Sequence, residues 1–257
     1  MKRSSMERHD MDNLQEMIGR AENGDAEAML LAADDIVWGD MTSSPDPNLI
    51  EKAIRYYMKL AQDGNTKAMV ELSGMYIEGR GIENNEEKAF AWARKAADLL
   101  EPNAYRNIGN FWMFYSERAP DTKKAFDAFT KGALLGDLNS LYGLGDAFRD
   151  GECVEKDGIF AYGLYKEAET LLADCADPWF SYYNSDVQLR LGECYLDGIG
   201  AAVDITKAIE CLQMAVDTYK RVIAEGVDCC ENTVQLARAQ ERLADALRRL
   251  DLSEGSK

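Results

Sequence analysis

Histidine is all but missing from this chain: one residue, His9, among 257. That excludes a Ser-His-Asp triad, a Cys-His nucleophile pair and a histidine-built zinc site, each of which needs imidazole at the reacting centre. Proline is scarce as well, with 5 residues, while 46% of the chain is apolar, which excludes collagen-like and wholly disordered states. No apolar run approaches the ~18 residues of a spanning helix. Residues 1–24 carry polar or charged side chains between every apolar pair, so no signal-peptide core is expected. Positive charge is in deficit: 29 Lys and Arg face 46 Asp and Glu, for a net charge of −17. Nucleic acid and anionic membrane surfaces, which select for clustered basic residues, are therefore not the expected partners.

The six cysteines are Cys153, Cys175, Cys194, Cys211, Cys229 and Cys230. None stands in a CxxC pair, and adjacent Cys229 and Cys230 are poorly placed to share a metal or a disulfide. They read as free reduced thiols packed as small apolar residues, and a cytoplasmic location follows as an expectation. GxSxG, GxxxxGK[ST], HExxH and the Rossmann glycine pattern are all absent. No catalytic residue, cofactor or metal is expected, and acidic pairs such as Asp34-Asp35 and Glu86-Glu87 read as loop or surface charge.

What the sequence does contain is a repeat. Lys52-Ala53 recurs 36 residues on as Lys88-Ala89, 36 further as Lys124-Ala125, and at the next step as Phe160-Ala161. A longer step of 47 reaches Lys207-Ala208. A second segment runs in phase. Leu72, Ile108, Leu144 and Leu191 occupy one position in it, the small residues Ser73, Gly109, Gly145 and Gly192 follow, and Tyr76, Trp112, Phe148 and Tyr195 stand four after the apolar position. A degenerate copy starts at Ala28. Ala68, Leu72 and Tyr76 step by four and share one helix face, and Ala89, Trp92, Ala93 and Ala96 form the matching stripe of the second segment. Gly79, Gly151 and Gly198 are suited to end the first helix in a left-handed conformation. Each unit is thus expected to be a helix hairpin whose apolar face is buried only by stacking on its neighbours.

These residues resemble the Sel1-like repeat, a relative of the tetratricopeptide repeat. The resemblance rests on the Leu-Gly pair, the aromatic, the loops Gly79-Arg80-Gly81-Ile82 and Gly198-Ile199-Gly200, and the Lys-Ala that opens the second helix. It covers roughly residues 24–226. It implies an all-α, right-handed α-solenoid, and a non-enzymatic adaptor that holds proteins or peptides. The expected organisation is a tail and cap helix over 1–23, five repeats over about 24–63, 64–99, 100–135, 136–173 and 177–226, and a cap helix and tail over 227–257.

At the ends, a short polar-faced helix is expected over 10–22 and a last helix over 231–250. The inner stripe of the last helix would be Leu236, Ala239, Leu243, Ala246 and Leu247, with Arg238, Arg242, Arg248 and Arg249 on its other faces. The longer step of 47 adds eleven residues around Asp177-Pro178, read as about three extra turns at the start of the next first helix.

A stack of hairpins presents a concave groove lined by first helices. Positions two before and two after the Leu-type residue select Arg106, Asn110, Tyr142, Asp146 and Glu193 as partner-binding candidates, with Asp34 at the matching place and Arg149 one turn beyond Asp146. For any single one of these residues an ordinary solvated helix face is the simpler reading. A second candidate surface is the aromatic insertion. Trp179 and Tyr183 fit the packing stripe there, and Phe180 and Tyr182 fall off it and are expected to be exposed. The expected partner is a protein or peptide; the net charge would speed encounter with a basic one, though solubility alone is the simpler account of that charge. The alternatives are self-association as a homodimer through a cap helix or the insertion, and neutralisation of a basic protein.

Overall fold

The computed structural model describes residues 3–38, 46–115, 120–151, 153–173, 180–224 and 230–254, with side chains left aside at 3–12, 114–115, 180–183, 230–231 and 254. All regular structure among these residues is helical. The chain divides into two compact units, Met1–Arg118 and Ala119–Lys257.

The first unit contains α1 (Arg3–Glu22), α2 (Ala26–Trp38), α3 (Pro47–Gln62), α4 (Thr66–Glu78), α5 (Glu86–Asp98) and α6 (Pro102–Asn110), which runs on as a π-helical turn over Phe111–Tyr115. The second contains α7 (Thr122–Leu134), α8 (Leu138–Asp150), α9 (Gly158–Ala173), α10 (Phe180–Asp197), α11 (Ile205–Ala224) and α12 (Cys230–Glu254). Helix starts are set by side-chain caps. Asp46, Asn65, Asn85, Asp121 and Asp137 each accept a hydrogen bond from a backbone N–H of the first turn, as do Asp25, Asp157 and Asp204. First helices end where the chain turns left-handed, at Gly79 (φ 67°), Gly151 (φ 77°) and Gly198 (φ 73°).

The recurring residues have distinct packing jobs. The alanine at the Lys-Ala position is fully buried at Ala53, Ala161 and Ala208. The lysine lies over the aromatic of its own first helix: Lys88 Nζ is 5.4 Å from the Tyr76 ring centre and Lys207 Nζ is 5.5 Å from that of Tyr195. Phe160 replaces the lysine in its unit and packs edge-on against Phe148 at 4.6 Å. The small residue after Leu makes room for the facing second helix. A Cβ on Gly145 would lie 2.5 Å from the Tyr165 ring, and one on Gly192 2.6 Å from Leu212 Cγ. The second glycine of the Gly-x-Gly loop packs on the start of the preceding second helix. A Cβ on Gly81 would lie 2.1 Å from Ile50, and one on Gly200 2.0 Å from the Gly158 carbonyl oxygen.

First helices of neighbouring hairpins pack on one another, α4 on α6 in the first unit and α8 on α10 and α10 on α12 in the second. Second helices α3, α5, α9 and α11 pack instead against the first helix that follows them. The core of the first unit centres on Val37, Tyr57, Leu72 and Met75, and that of the second on Tyr165, Val187, Leu191, Cys194, Leu212 and Tyr219. Each such buried side chain contributes roughly 1.5–3 kcal/mol by leaving water.

Several expectations are corrected. The leading helix begins at Arg3 rather than residue 10. The described part of helix α10 is 18 residues long against 13 in α8; the start expected at Asp177-Pro178 and Trp179 lies outside the described residues. Leu247 is 45% exposed and not part of the inner stripe of α12. That helix is laid out as a further first helix. Asn232 and Leu236 stand where α10 has Val187 and Leu191, and Asn232 is buried. Among the described residues no helix is long and apolar enough to cross a membrane.

Candidate functional site

The first helices of the second unit are joined by an ion ladder. Asp146 on α8 accepts hydrogen bonds from Arg190 on α10, from Nε at 2.9 Å and Nη2 at 2.5 Å, and from the Tyr165 hydroxyl of α9 at 2.7 Å. Burial pushes the Asp146 carboxyl up, but the Arg190 guanidinium and its neighbour Arg149 outweigh that and hold it below the usual carboxylate range. Arg190 also lies 4.5 Å from the Tyr142 ring centre and donates to the Asp186 carbonyl oxygen at 3.0 Å, while Tyr219 of α11 donates to the Asp186 carboxylate at 2.7 Å. One helix along, the pattern repeats. Glu193, whose side chain is 7% exposed, accepts from Arg238 Nε and Nη2 at 2.8 and 2.7 Å and lies 3.5 Å from Arg149. Asp197 pairs with Arg242, and Arg249 donates to the Leu196 carbonyl oxygen at 2.9 Å.

The first unit holds a related but differently charged arrangement. Asp34 on α2 accepts a hydrogen bond from the Tyr57 hydroxyl of α3 at 2.5 Å. Counting from the buried positions Ala32 and Leu144, Asp34 matches Asp146; counting from Ala53 and Ala161, Tyr57 matches Tyr165. The position that supplies Arg190, one before the Leu-type residue of the next first helix, is occupied here by Glu71. Burial pushes the Glu71 carboxyl up to about 7, with the neighbouring Asp34 adding to the rise and Arg106 opposing it. Asp34 is likewise raised by burial, opposed by the Tyr57 hydrogen bond and by Lys67. Glu78, two turns further along α4, is raised by burial against the pull of Arg80. Arg80 itself lies 5.4 Å from the Trp38 ring centre and donates from Nε to the Val37 carbonyl oxygen at 2.5 Å. The Trp38 indole lies at the edge of this group, beside Glu71 and Tyr57.

The candidate residues named from sequence fall into three groups. Tyr142, Asp146, Arg149 and Glu193 come together in the second-unit ladder. Asp34 and Arg106 flank Glu71 in the first unit, and Asn110 is partly buried at the end of α6. The side chains of Phe180 and Tyr182 lie outside those described. The rule of two before and two after the Leu-type residue does not describe a uniform groove, since Val70 and Leu189, both two before, are buried core. Sequence reasoning passed over Glu71 and Arg190, which share one repeat position, and over Arg238 and Arg242, which pair with Glu193 and Asp197 rather than simply decorating the last helix. The paired charges stand 44 and 45 residues apart on separate helices, a spacing that no local pattern marks. The free cysteines among the described residues are Cys153, exposed, Cys211, partly buried, and Cys194, buried and raised to about 12 by that burial.

Comparison with known proteins agrees with the architecture. The family model for the Sel1 repeat matches residues 26–65, 66–99, 138–171 and 185–217, together more than half of the chain. An uncharacterised protein of Neisseria meningitidis serogroup B is 28% identical over 94 residues, covering 37% of this chain and 20% of that protein. The chain therefore spans about a fifth of the length of that curated relative. A crystal structure of a Sel1 repeat protein from Oxalobacter formigenes superposes with a TM-score of 0.55 at 24% identity, over 76% of this chain and 74% of that one. An immunity protein from Pseudomonas aeruginosa superposes with a TM-score of 0.52 at 18% identity, over 87% of this chain and 84% of that one. Both show the fold alone. With its hairpin packing, its Gly-x-Gly loops and four matched repeats, the chain belongs to the Sel1 repeat family.

Proposed function

We propose that this chain is a non-enzymatic protein-interaction scaffold, binding a protein or peptide across the first-helix face of its hairpins. Sel1 repeat proteins are generally interaction scaffolds, and the reading here goes further in naming the face. The observation that carries it is the packing order. First helices α4 and α6, α8 and α10, and α10 and α12 touch one another, while the second helices α3, α5, α9 and α11 each pack between their own first helix and the one that follows. We read the first-helix side as the inward-curving one, and it carries partly buried polar side chains, Arg106 and Asn110 among them. We take the chain as five repeats over 24–226 flanked by the segments 1–23 and 227–257. Its mechanism is the presentation of fixed side chains on stacked helices, with little backbone change on binding.

The test is capture of a partner from native lysate at about 0.5 M salt, where exposed charge attraction is largely screened. The wild-type protein is compared with the double variant Arg106→Gln/Asn110→Ala. The reading expects weaker capture with an unchanged melting temperature. Equal capture by both proteins would remove these residues from the interface.

A further inference from the structure

We infer that Asp34 and Glu71 form a receptor for a guanidinium group supplied by a partner, so that the ligand of the first unit is an arginine-bearing protein segment. This rests on the scaffold reading above and names the chemistry of one of its contacts.

The argument is an internal comparison. The second unit shows what an aspartate at this repeat position, held by a tyrosine hydroxyl from the second helix, takes as its counter-ion. Asp146 with Tyr165 takes the Arg190 guanidinium in a two-nitrogen fork. The first unit reproduces the aspartate and the tyrosine as Asp34 and Tyr57. The residue that would deliver the guanidinium is instead a second carboxylate, Glu71. Among the described residues Glu71 has no ion pair, and its neighbours Lys67 and Arg106 leave both carboxyls above their ordinary range. The chain therefore keeps the acceptor half of a buried ion pair and omits the donor half. It also places a second acceptor where the donor would have been rooted. A guanidinium entering from the first-helix face would meet two carboxylates, and its planar fork suits them better than an ammonium does. At the edge of the group the Trp38 ring carries the Arg80 guanidinium at 5.4 Å, an internal instance of the same cation–ring contact.

The probe is the peptide acetyl-Gly-Arg-Gly-amide, with its citrulline twin as the uncharged control, titrated into the full chain while the Trp38 indole resonance is followed by NMR. Saturable binding is expected for the arginine peptide, with at least about tenfold weaker binding of the citrulline peptide. Glu71→Arg rebuilds the internal donor and is expected to abolish binding while raising the melting temperature. Glu71→Gln, which adds no new contact, is expected to weaken binding without preventing folding. Glu241→Arg, the same charge change on the exposed face of α12, is expected to bind as wild type. Equal binding of the two peptides, or binding unaffected by both Glu71 variants, would overturn the inference. If the peptide fails to bind while Arg106→Gln/Asn110→Ala still weakens capture of a protein partner, the scaffold reading stands and the guanidinium receptor falls.

Discussion

Glu71 and Arg190 occupy the same position of the repeat, one residue before the buried leucine of the first helix, and they give the two units opposite electrostatics. Arg190 neutralises Asp146 and ties α8 to α10. Glu71 instead adds a carboxylate beside Asp34. The second unit spends its charges on internal cross-links between first helices, and the first unit leaves acceptors facing one another.

The Glu71 carboxyl makes stability depend on pH in a window above the usual carboxylate range. Its folded value near 7 lies above an ordinary value of 4.5, so the folded state binds more protons between these limits. Stability contributed by the protonated form is complete below pH 4.5 and is lost as pH rises through 7. The groups facing it are Asp34 and Trp38 of α2, Tyr57 of α3, Glu78 of its own helix and Arg106 of α6. Raising the pH from 5 to 8 is expected to cost on the order of 2 kcal/mol, most of which disappears in Glu71→Gln. Urea denaturation of both proteins across that range measures it, and a wild type no more pH-sensitive than the variant would refute it.

Arg190 is expected to be among the most costly single residues to remove. Its side chain is 13% exposed and its loss strands the Asp146 carboxylate. Arg190→Ala should destabilise by about 3–5 kcal/mol, and the double replacement Asp146→Leu/Arg190→Met by much less, because no uncompensated charge is then left. Equilibrium denaturation of the single and double variants decides it.

Two glycines in one helix give opposite predictions. Gly145 faces the Tyr165 ring, so Gly145→Ala should cost roughly 1–3 kcal/mol by overpacking. A Cβ on Gly143 meets nothing within 4 Å, so Gly143→Ala should stabilise by up to about 1 kcal/mol through helix propensity. Thermal melts of the pair would show shifts of opposite sign.

Leu100 and Cys153 hold left-handed backbone at φ 62° and 67°. Their repeat-mates are glycines: Gly24, Gly64 and Gly136 for Leu100, and Gly81 and Gly200 for Cys153. Leu100→Gly and Cys153→Gly should therefore each stabilise by about 0.5–1 kcal/mol, as relief of side-chain crowding exceeds the added freedom of the unfolded chain. A fall in melting temperature for either would show that the side chain makes contacts worth more than its strain.

Much of the hairpin architecture is legible in the sequence because each recurring residue answers a local steric demand. Gly145 recurs as Gly192 because a second helix presses on both, and Gly79 recurs as Gly151 because both end a helix left-handed. The ion ladder was not legible in the same way. Asp146 and Arg190 lie 44 residues apart on separate helices, and nothing in the local pattern of either reports the pairing. The groove rule failed at Val70 and Leu189 for a related reason. First helices pack on one another as well as on second helices, so a face that appears outward in a single hairpin becomes core when the next one stacks.

Hydrogen exchange of the chain with and without a captured protein partner tests the central claim most directly. The account predicts new protection on α2, α4 and α6, strongest around Asp34, Glu71 and Arg106, with the outer faces of α3 and α5 unchanged. Protection confined to the second helices, with the first helices exchanging as they do in the free protein, would contradict it.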